Sequence, residues 1–143
     1  MKIRQAELHE MDWINQEYGK VGFKPSNLKN ELVLIAEIEG KRVGLGRLQA
    51  LSDMTAELGG IYVNDAFRGR GIAQGIVRRL VEEAAGFDSI YCLPFAHLKD
   101  FYAQFDFKEI KDRSPIPEPL RQKHLWCNQT YEGDTLIMTL NKG

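Results

Sequence analysis

A short apolar segment near the middle of the chain runs into a cluster of glycines and arginines, and an amphipathic segment follows it. Residues 58–63 are apolar and β-prone, residues 68–73 hold the arginines and glycines, and Ile72 opens the amphipathic segment. This order is typical of a strand that passes through a turn into a helix. Such a junction presents free backbone N–H groups to an anion. The sequence therefore predicts a phosphate-binding loop over residues 68–73.

Two familiar nucleotide-binding loops fit this segment poorly. A Walker loop places Lys and then Ser or Thr after its last glycine, and no such lysine follows Gly69 or Gly71. A dinucleotide-binding loop needs a third glycine where this chain has Gln74, although Asp88 stands near the usual place of a ribose-binding acid. ATP and GTP are therefore disfavoured as ligands, and the dinucleotide interpretation is weakened but stays open.

The composition indicates one compact domain over residues 1–143. Of the 143 residues, 43% are hydrophobic and 27% are charged, and the net charge is −1. This charge balance argues against nucleic acid and against an anionic membrane surface as partners. The first residues lack the apolar core of a signal peptide, and no apolar run has the length of a membrane span. We therefore expect a cytoplasmic protein.

The two cysteines, Cys92 and Cys127, do not form a CxxC pair, so we expect reduced, packed thiols. His124 and Cys127 have the spacing of half a metal site, but no second half follows at a suitable distance. The sequence therefore predicts no metal.

The segments before the loop predict a strand near residues 3–6, a helix from Glu7 to about Tyr18, and three antiparallel strands. The continuous apolar run 32–36 suits a buried strand, and Glu39-Gly40 suits a tight hairpin turn. The third strand covers residues 56–63 and leads into the loop.

The segments after the loop predict a helix, a strand parallel to 56–63, a second helix and two more strands. The first helix has an apolar stripe and ends near Gly86, and the strand after it lies near residues 89–93. Residues 114–119 carry three prolines, so we expect a rigid loop there. The last strand is indicated by the alternating residues 135–140.

Two motifs in this order resemble the GCN5-related N-acetyltransferase (GNAT) family. The pattern Arg68-x-x-Gly71-x-Ala73 is similar to the family's loop for the acyl-CoA pyrophosphate, and residues 101–107 look like its second signature, Phe-Tyr followed by Gly-Phe. Asp106 departs from the common glycine, and Phe95 stands where many members have Asn. The resemblance implies an α/β (α+β) fold with a mixed sheet, in which an antiparallel meander precedes a splayed parallel strand pair, with helices on both faces.

The resemblance also implies the activity, an acetyl-CoA-dependent N-acetyltransferase that transfers acetyl directly to a primary amine. Tyr102 matches the family's general acid beside the sulfur, and Glu57 is the candidate base. An interaction with acetyl-CoA as cosubstrate is expected from Ile61, Tyr62, Val63, Arg68, Gly69, Arg70, Gly71, Ile72 and Ala73. A backbone N–H near Val63 is expected to meet the oxyanion.

The acceptor is less defined than the cosubstrate. We expect the acceptor to be a small-molecule or amino-acid-like amine. A homodimer is one assembly that the sequence allows. The loop with Lys20, Lys24 and Lys29 carries no acid and is a candidate lip for a substrate carboxylate, although such loops are usually only solvated. The alternative function is a non-catalytic acyl-CoA sensor or interaction module, which needs the loop but neither Glu57 nor Tyr102.

Overall fold

A computed structural model describes residues 1–112 and 115–141 of the chain. The strands are β1 (Lys2–Gln5), β2 (Glu31–Ile38), β3 (Lys41–Ala50), β4 (Thr55–Val63), β5 (Ser89–Cys92), β6 (Lys108–Glu109) and β7 (Met138–Asn141). The α-helices are α1 (Met11–Lys20), α2 (Ile72–Glu83), α3 (Lys99–Ala103) and α4 (Glu118–Thr130). The strand order β1-β2-β3-β4-β5-β7-β6 and the parallel pairing of β4 with β5 confirm the predicted mixed sheet.

The chain divides into two compact units, and β4 contributes to both. Unit 1 is Met1–Ala50 with Leu58–Gly86, and unit 2 is Leu51–Glu57 with the described residues from Phe87 onward. The expectation of one domain over residues 1–143 stays a prediction. No helix in the described ranges has the length and apolar character needed to cross a bilayer.

Unit 1 has a helix on each face of its strands. On one face, Ile14 and Tyr18 of α1 form a buried cluster with Val33, Ile35 and Leu45 of the β2–β3 hairpin. On the other face, α2 lies directly against the glycines of β3. Successive strand residues point to opposite faces, so the hairpin serves both helices. The buried residues of α2 come from the apolar stripe expected from the sequence: Ile72, Ile76, Val77 and Leu80.

Unit 2 is built on β5, β7 and β6, with the first residues of β4 at one side. β5 pairs with β4 from Thr55–Ser89 to Glu57–Tyr91, and within the described residues that ladder ends there while β4 continues to Val63. Helix α4 packs its Leu120 with Ile116 and Ile137 in a separate buried cluster.

The sequence predicted most elements but missed α4. The turn at Glu39-Gly40 is confirmed, since both residues have positive φ. The rigid loop expected over residues 114–119 holds for residues 115–117 and is wrong for Glu118 and Pro119, which are helical, whereas Ser114 lies outside the described residues. Helix α4 then begins at Glu118 with proline in its first turn, where a missing N–H costs nothing. Prolines that we interpreted as loop residues therefore also mark the start of a helix.

A buried carboxylate ties the start of unit 1 together. Glu10 is 2% exposed, and both its oxygens accept hydrogen bonds from the Arg4 guanidinium, at 2.7 and 2.8 Å. Arg42 lies 3.5 Å from the same carboxylate. The hydrogen bonds from Arg4 are the main reason why the pKa of Glu10 falls from 4.5 to about 2.

We expect the Glu10→Gln variant to have a lower free energy of unfolding than wild type at pH 7, and this deficit should shrink at acidic pH. The lowered pKa of Glu10 stabilises the folded state above pH 4.5, and this contribution disappears as the pH falls towards 2. Chemical denaturation at pH 7 and pH 3 measures the free energy of unfolding. The difference between wild type and variant should be about 3 kcal/mol at pH 7 and about 2 kcal/mol smaller at pH 3. The exposed Glu82→Gln serves as control, and an equal difference at both pH values for Glu10→Gln would contradict this assignment.

Candidate functional site

The loop between β4 and α2 is shaped by its own residues. The Asn64 N–H donates to the Val43 carbonyl at 2.8 Å, and the Asn64 side chain accepts from the Ala66 N–H at 3.0 Å. These bonds fix the exit of β4. The backbone then turns at Gly71, which has φ 78° and ψ 14° as the residue that caps α2. An L side chain rarely adopts this conformation, which explains glycine at this position.

The loop leaves a row of backbone N–H groups free. In residues 1–112 and 115–141, no protein acceptor faces the N–H groups of residues 69–74, whereas the Gly75 N–H donates to the Gly71 carbonyl at 3.1 Å. The first turn of α2 carries no acidic side chain and no side-chain cap. A helix N-terminus has a partial positive charge, so these N–H groups form a site for an anion. The binding of a phosphate by residues 68–73 stays a prediction.

The two arginines of the loop, unlike its backbone N–H groups, already have contacts within the protein. Arg68 pairs with Asp65 at 3.1 Å, and its Nε donates to the Val63 carbonyl at 3.4 Å. The Arg70 guanidinium lies 5.0 Å from the centre of the Phe67 ring. Because Asp65 offsets the charge of Arg68, the backbone N–H groups are the stronger part of the site.

The strand before the loop, β4, bends at Gly60. Gly60 has φ +61°, three residues before Val63, and the role of the Val63 N–H stays a prediction. The Tyr18 hydroxyl donates to the Gly60 carbonyl at 2.9 Å and so anchors this bend to α1. Of the other candidate contacts, Val63 is buried, and Ile61 and Tyr62 are half-buried. Tyr62 packs against the α1 cluster.

The candidate base in unit 2 is already ion-paired. Glu57 is 5% exposed, and Lys123 of α4 donates to its carboxylate at 2.6 Å. Sequence reasoning missed Lys123 because it missed α4. A signal was present, since Leu120 and Cys127 are the buried residues of this helix and their spacing of two turns places them on one face.

The candidate acid in unit 2 is a buried phenol. Tyr102 is 6% exposed, and its ring meets Phe101 and Phe107 edge-on at 5.0 and 6.1 Å. Burial raises the pKa of Tyr102 well above that of a free phenol, with a smaller contribution from Cys92. The hydroxyl therefore keeps its proton at neutral pH, as a proton donor must.

The structure does not join Glu57 directly to Tyr102. No hydrogen bond links the two among the described residues. Glu57 is the register partner of Tyr91, and the next residue of β5, Cys92, interacts electrostatically with both Glu57 and Tyr102.

The two cysteines are buried, and the histidine of the half metal site contacts the backbone. Both cysteines are free and buried, as expected. Burial, with a further contribution from Glu57, raises the pKa of Cys92 well above its ordinary value, which disfavours a thiolate nucleophile there. His124 Nε2 lies 2.6 Å from the Thr135 carbonyl. The absence of a metal stays a prediction.

The two departures from the family pattern differ in consequence. Asp106 adopts φ +72°, the conformation that the common glycine would allow, so the bend after α3 is kept. Phe95 packs its ring edge-on against Tyr131 at 5.4 Å and cannot supply the amide of the usual Asn.

Comparison with known proteins decides the family. A family model described as an acetyltransferase (GNAT) domain matches residues 29–109. The chain belongs to the GNAT family. The match includes β2 to α3, and therefore both the loop before α2 and Tyr102.

Solved structures of GNAT proteins share the fold at low sequence identity. The Mycobacterium tuberculosis protein Rv2747, solved with CoA and NLQ, is 22% identical with a TM-score of 0.77, and the match covers 99% of both chains. The N-acetylglutamate synthase from Neisseria gonorrhoeae, solved with coenzyme A and N-acetyl-glutamate, is 15% identical with a TM-score of 0.75. That match covers 99% of this chain but 35% of the synthase.

A third solved structure broadens the range of acceptors among these similar folds. An aminoglycoside 6'-N-acetyltransferase complexed with coenzyme A is 13% identical with a TM-score of 0.71, and the match covers 99% of this chain and 97% of that one. A search of curated protein sequences gives no match. Fold similarity at these identities does not define the acceptor of this GNAT chain.

Proposed function

We propose that this chain is an acetyl-CoA-dependent N-acetyltransferase that transfers acetyl directly to the primary amine of a small, amino-acid-like acceptor. The row of free N–H groups over residues 69–74 carries this proposal, because it is a ready site for a diphosphate. Membership of the GNAT family and the CoA-bound structures of similar fold support the same cosubstrate. A nucleotide without a thioester, such as NAD, would leave Tyr102 without a role.

The residues proposed to hold acetyl-CoA follow the strand and the loop. Ile61, Tyr62 and Val63 line the end of β4, and the loop supplies Arg68, Gly69, Arg70, Gly71, Ile72 and Ala73. The backbone of the loop binds the diphosphate, and the arginines add positive charge beside it.

The thioester supplies an acyl carbon that a neutral amine can attack. As the N–C bond forms, the amine gives up a proton, for which Glu57 is the candidate acceptor. As the C–S bond breaks, the thiolate takes a proton, for which Tyr102 is the candidate donor because burial keeps its hydroxyl protonated. The raised pKa of Cys92 favours this direct route over an acyl-cysteine intermediate.

We expect the purified chain to bind CoA with a dissociation constant of roughly 1–100 μM in titration calorimetry. It should also release free thiol from acetyl-CoA in the presence of at least one primary amine. Amino acids, polyamines, aminoglycosides and a lysine-containing peptide form a suitable acceptor panel. No CoA binding at millimolar concentration would refute the proposal.

A sensor that binds acyl-CoA without turnover is the second candidate function. The ion pair between Lys123 and Glu57 favours it, because one carboxylate oxygen that a general base could use already accepts a hydrogen bond from the ammonium at 2.6 Å. Thiol release separates the two functions, because a sensor would bind CoA in calorimetry and release no thiol with any acceptor.

A further inference from the structure

One buried cation in unit 1 lacks an anionic partner. Arg47 of β3 is 7% exposed, and its Nη1 has no hydrogen-bond partner. It is the only arginine among the buried residues that the structure describes. No carboxylate of residues 1–112 or 115–141 forms an ion pair with it, whereas Arg4 and Arg42, also in unit 1, both contact Glu10.

The contacts of Arg47 offset part of the cost of burying its charge, but none of them is an anion. The guanidinium lies 4.6 Å from the centre of the Tyr18 ring, a cation–π contact. Of the acids around Tyr18, Glu17 precedes it in α1 and pairs with Lys20 at 2.7 Å, and Glu31, which acts electrostatically on Tyr18, accepts a hydrogen bond from Ser26. A buried charge without a counter-ion is unfavourable, and an aromatic face offsets this only in part.

Arg47 also lies against the bend of β4 that leads to the loop. A Cβ atom at Gly60 would lie 3.0 Å from Arg47 Nε and 3.1 Å from its Cγ, so the arginine side chain packs directly on this glycine. Tyr18, whose ring stacks with Arg47, donates a hydrogen bond from its hydroxyl to the Gly60 carbonyl. Arg47 is therefore placed beside the strand whose end and loop we propose to hold acetyl-CoA.

We infer that Arg47 is the specificity-determining residue for the acceptor and binds its carboxylate. This inference rests on the proposed function. The diphosphate already has the backbone N–H groups of residues 69–74, so a second anion site suits the other substrate. A planar guanidinium can donate two parallel hydrogen bonds to a carboxylate. The same cation repels a polycationic acceptor, so the substrate class is amino acids and not aminoglycosides or polyamines.

The first test uses the wild-type protein alone. Thiol release is measured with each proteinogenic amino acid and with its carboxamide, which keeps the amine and removes the negative charge. We expect kcat/KM to be at least about 30-fold higher for the preferred amino acid than for its carboxamide, the size of effect that one charged hydrogen-bonded pair provides. Equal values for acid and carboxamide, or a preference for aminoglycosides or polyamines, would overturn the inference.

The second test uses Arg47→Gln with Arg42→Gln as a matched control. Both residues lie in β3 and both stack on an aromatic ring, but Arg42 already has Glu10 as its anion. Arg47→Gln should raise KM for the amino acid about 30-fold, leave KM for the carboxamide and the CoA affinity within about twofold, and so erase the preference. Arg42→Gln should keep the preference.

The outcomes distinguish this inference from the proposed function. If the wild type fails to bind CoA or to release thiol with any acceptor, the function fails and the inference falls with it. If carboxylate-free amines are acetylated as well as amino acids, the function stands and the role of Arg47 is wrong. If Arg47→Gln does not fold, the kcat/KM values of the wild type for the amino acid and for its carboxamide still test the inference.

Discussion

Replacing Gly71 with valine should weaken CoA binding by at least about 100-fold. This is the effect of losing two charge-assisted hydrogen bonds from backbone N–H groups of the loop to the diphosphate. Gly71 has φ +78°, and a Cβ there would contact only the Gln74 side chain, at 3.2 Å. Because this position has no further neighbour within 4 Å, we expect the rest of the valine to take up space beside the free N–H groups that the diphosphate would need. Titration calorimetry with CoA measures the effect.

The matched control for Gly71→Val is Gly40→Val in the β2–β3 hairpin. Gly40 has φ +77° and no atom near its Cβ position, so valine there introduces the same backbone strain, about 1–2 kcal/mol, away from the loop. Both variants should lower the free energy of unfolding by a similar amount, and only Gly71→Val should lose CoA. Unchanged CoA affinity in folded Gly71→Val would show that this loop does not hold the diphosphate.

Replacing Tyr102 with phenylalanine should lower kcat about 100- to 1000-fold and leave the affinity for CoA within about twofold. The ring keeps its edge-on contacts with Phe101 and Phe107, so the fold is preserved. Only the hydroxyl is lost, and with it the proposed proton donor for the departing thiolate. Steady-state thiol release gives kcat, and calorimetry gives the CoA affinity of the same sample.

Tyr131→Phe controls for the removal of a phenol from unit 2. Tyr131 packs edge-on against Phe95 and Trp126 near the end of α4, and we assign it no proton transfer. Its variant should keep kcat within about twofold. A Tyr102→Phe variant as active as wild type across the pH range would remove Tyr102 from the mechanism and leave water as the donor.

The proposed acceptor specificity and the ion pair of the candidate base both depend on contacts that the sequence did not predict. Arg47 and Tyr18 meet because β3 and α1 pack together, and nothing in the spacing of these residues indicates a cation–π pair. Glu57 and Lys123 are 66 positions apart and meet only because α4 packs beside the first residues of β4. Long-range pairs of this kind leave no periodic pattern in a sequence.

The sequence by itself determined the features set by neighbouring residues. The hairpin turn at Glu39-Gly40, the apolar stripe of α2 and the glycine-rich loop follow from local backbone preference and from helical periodicity, so they could be predicted. Only the tertiary structure decided which charges are buried and which have partners. Burial and ion pairing depend on distances in space between segments far apart in the chain, and these distances are fixed when the helices pack on the strands.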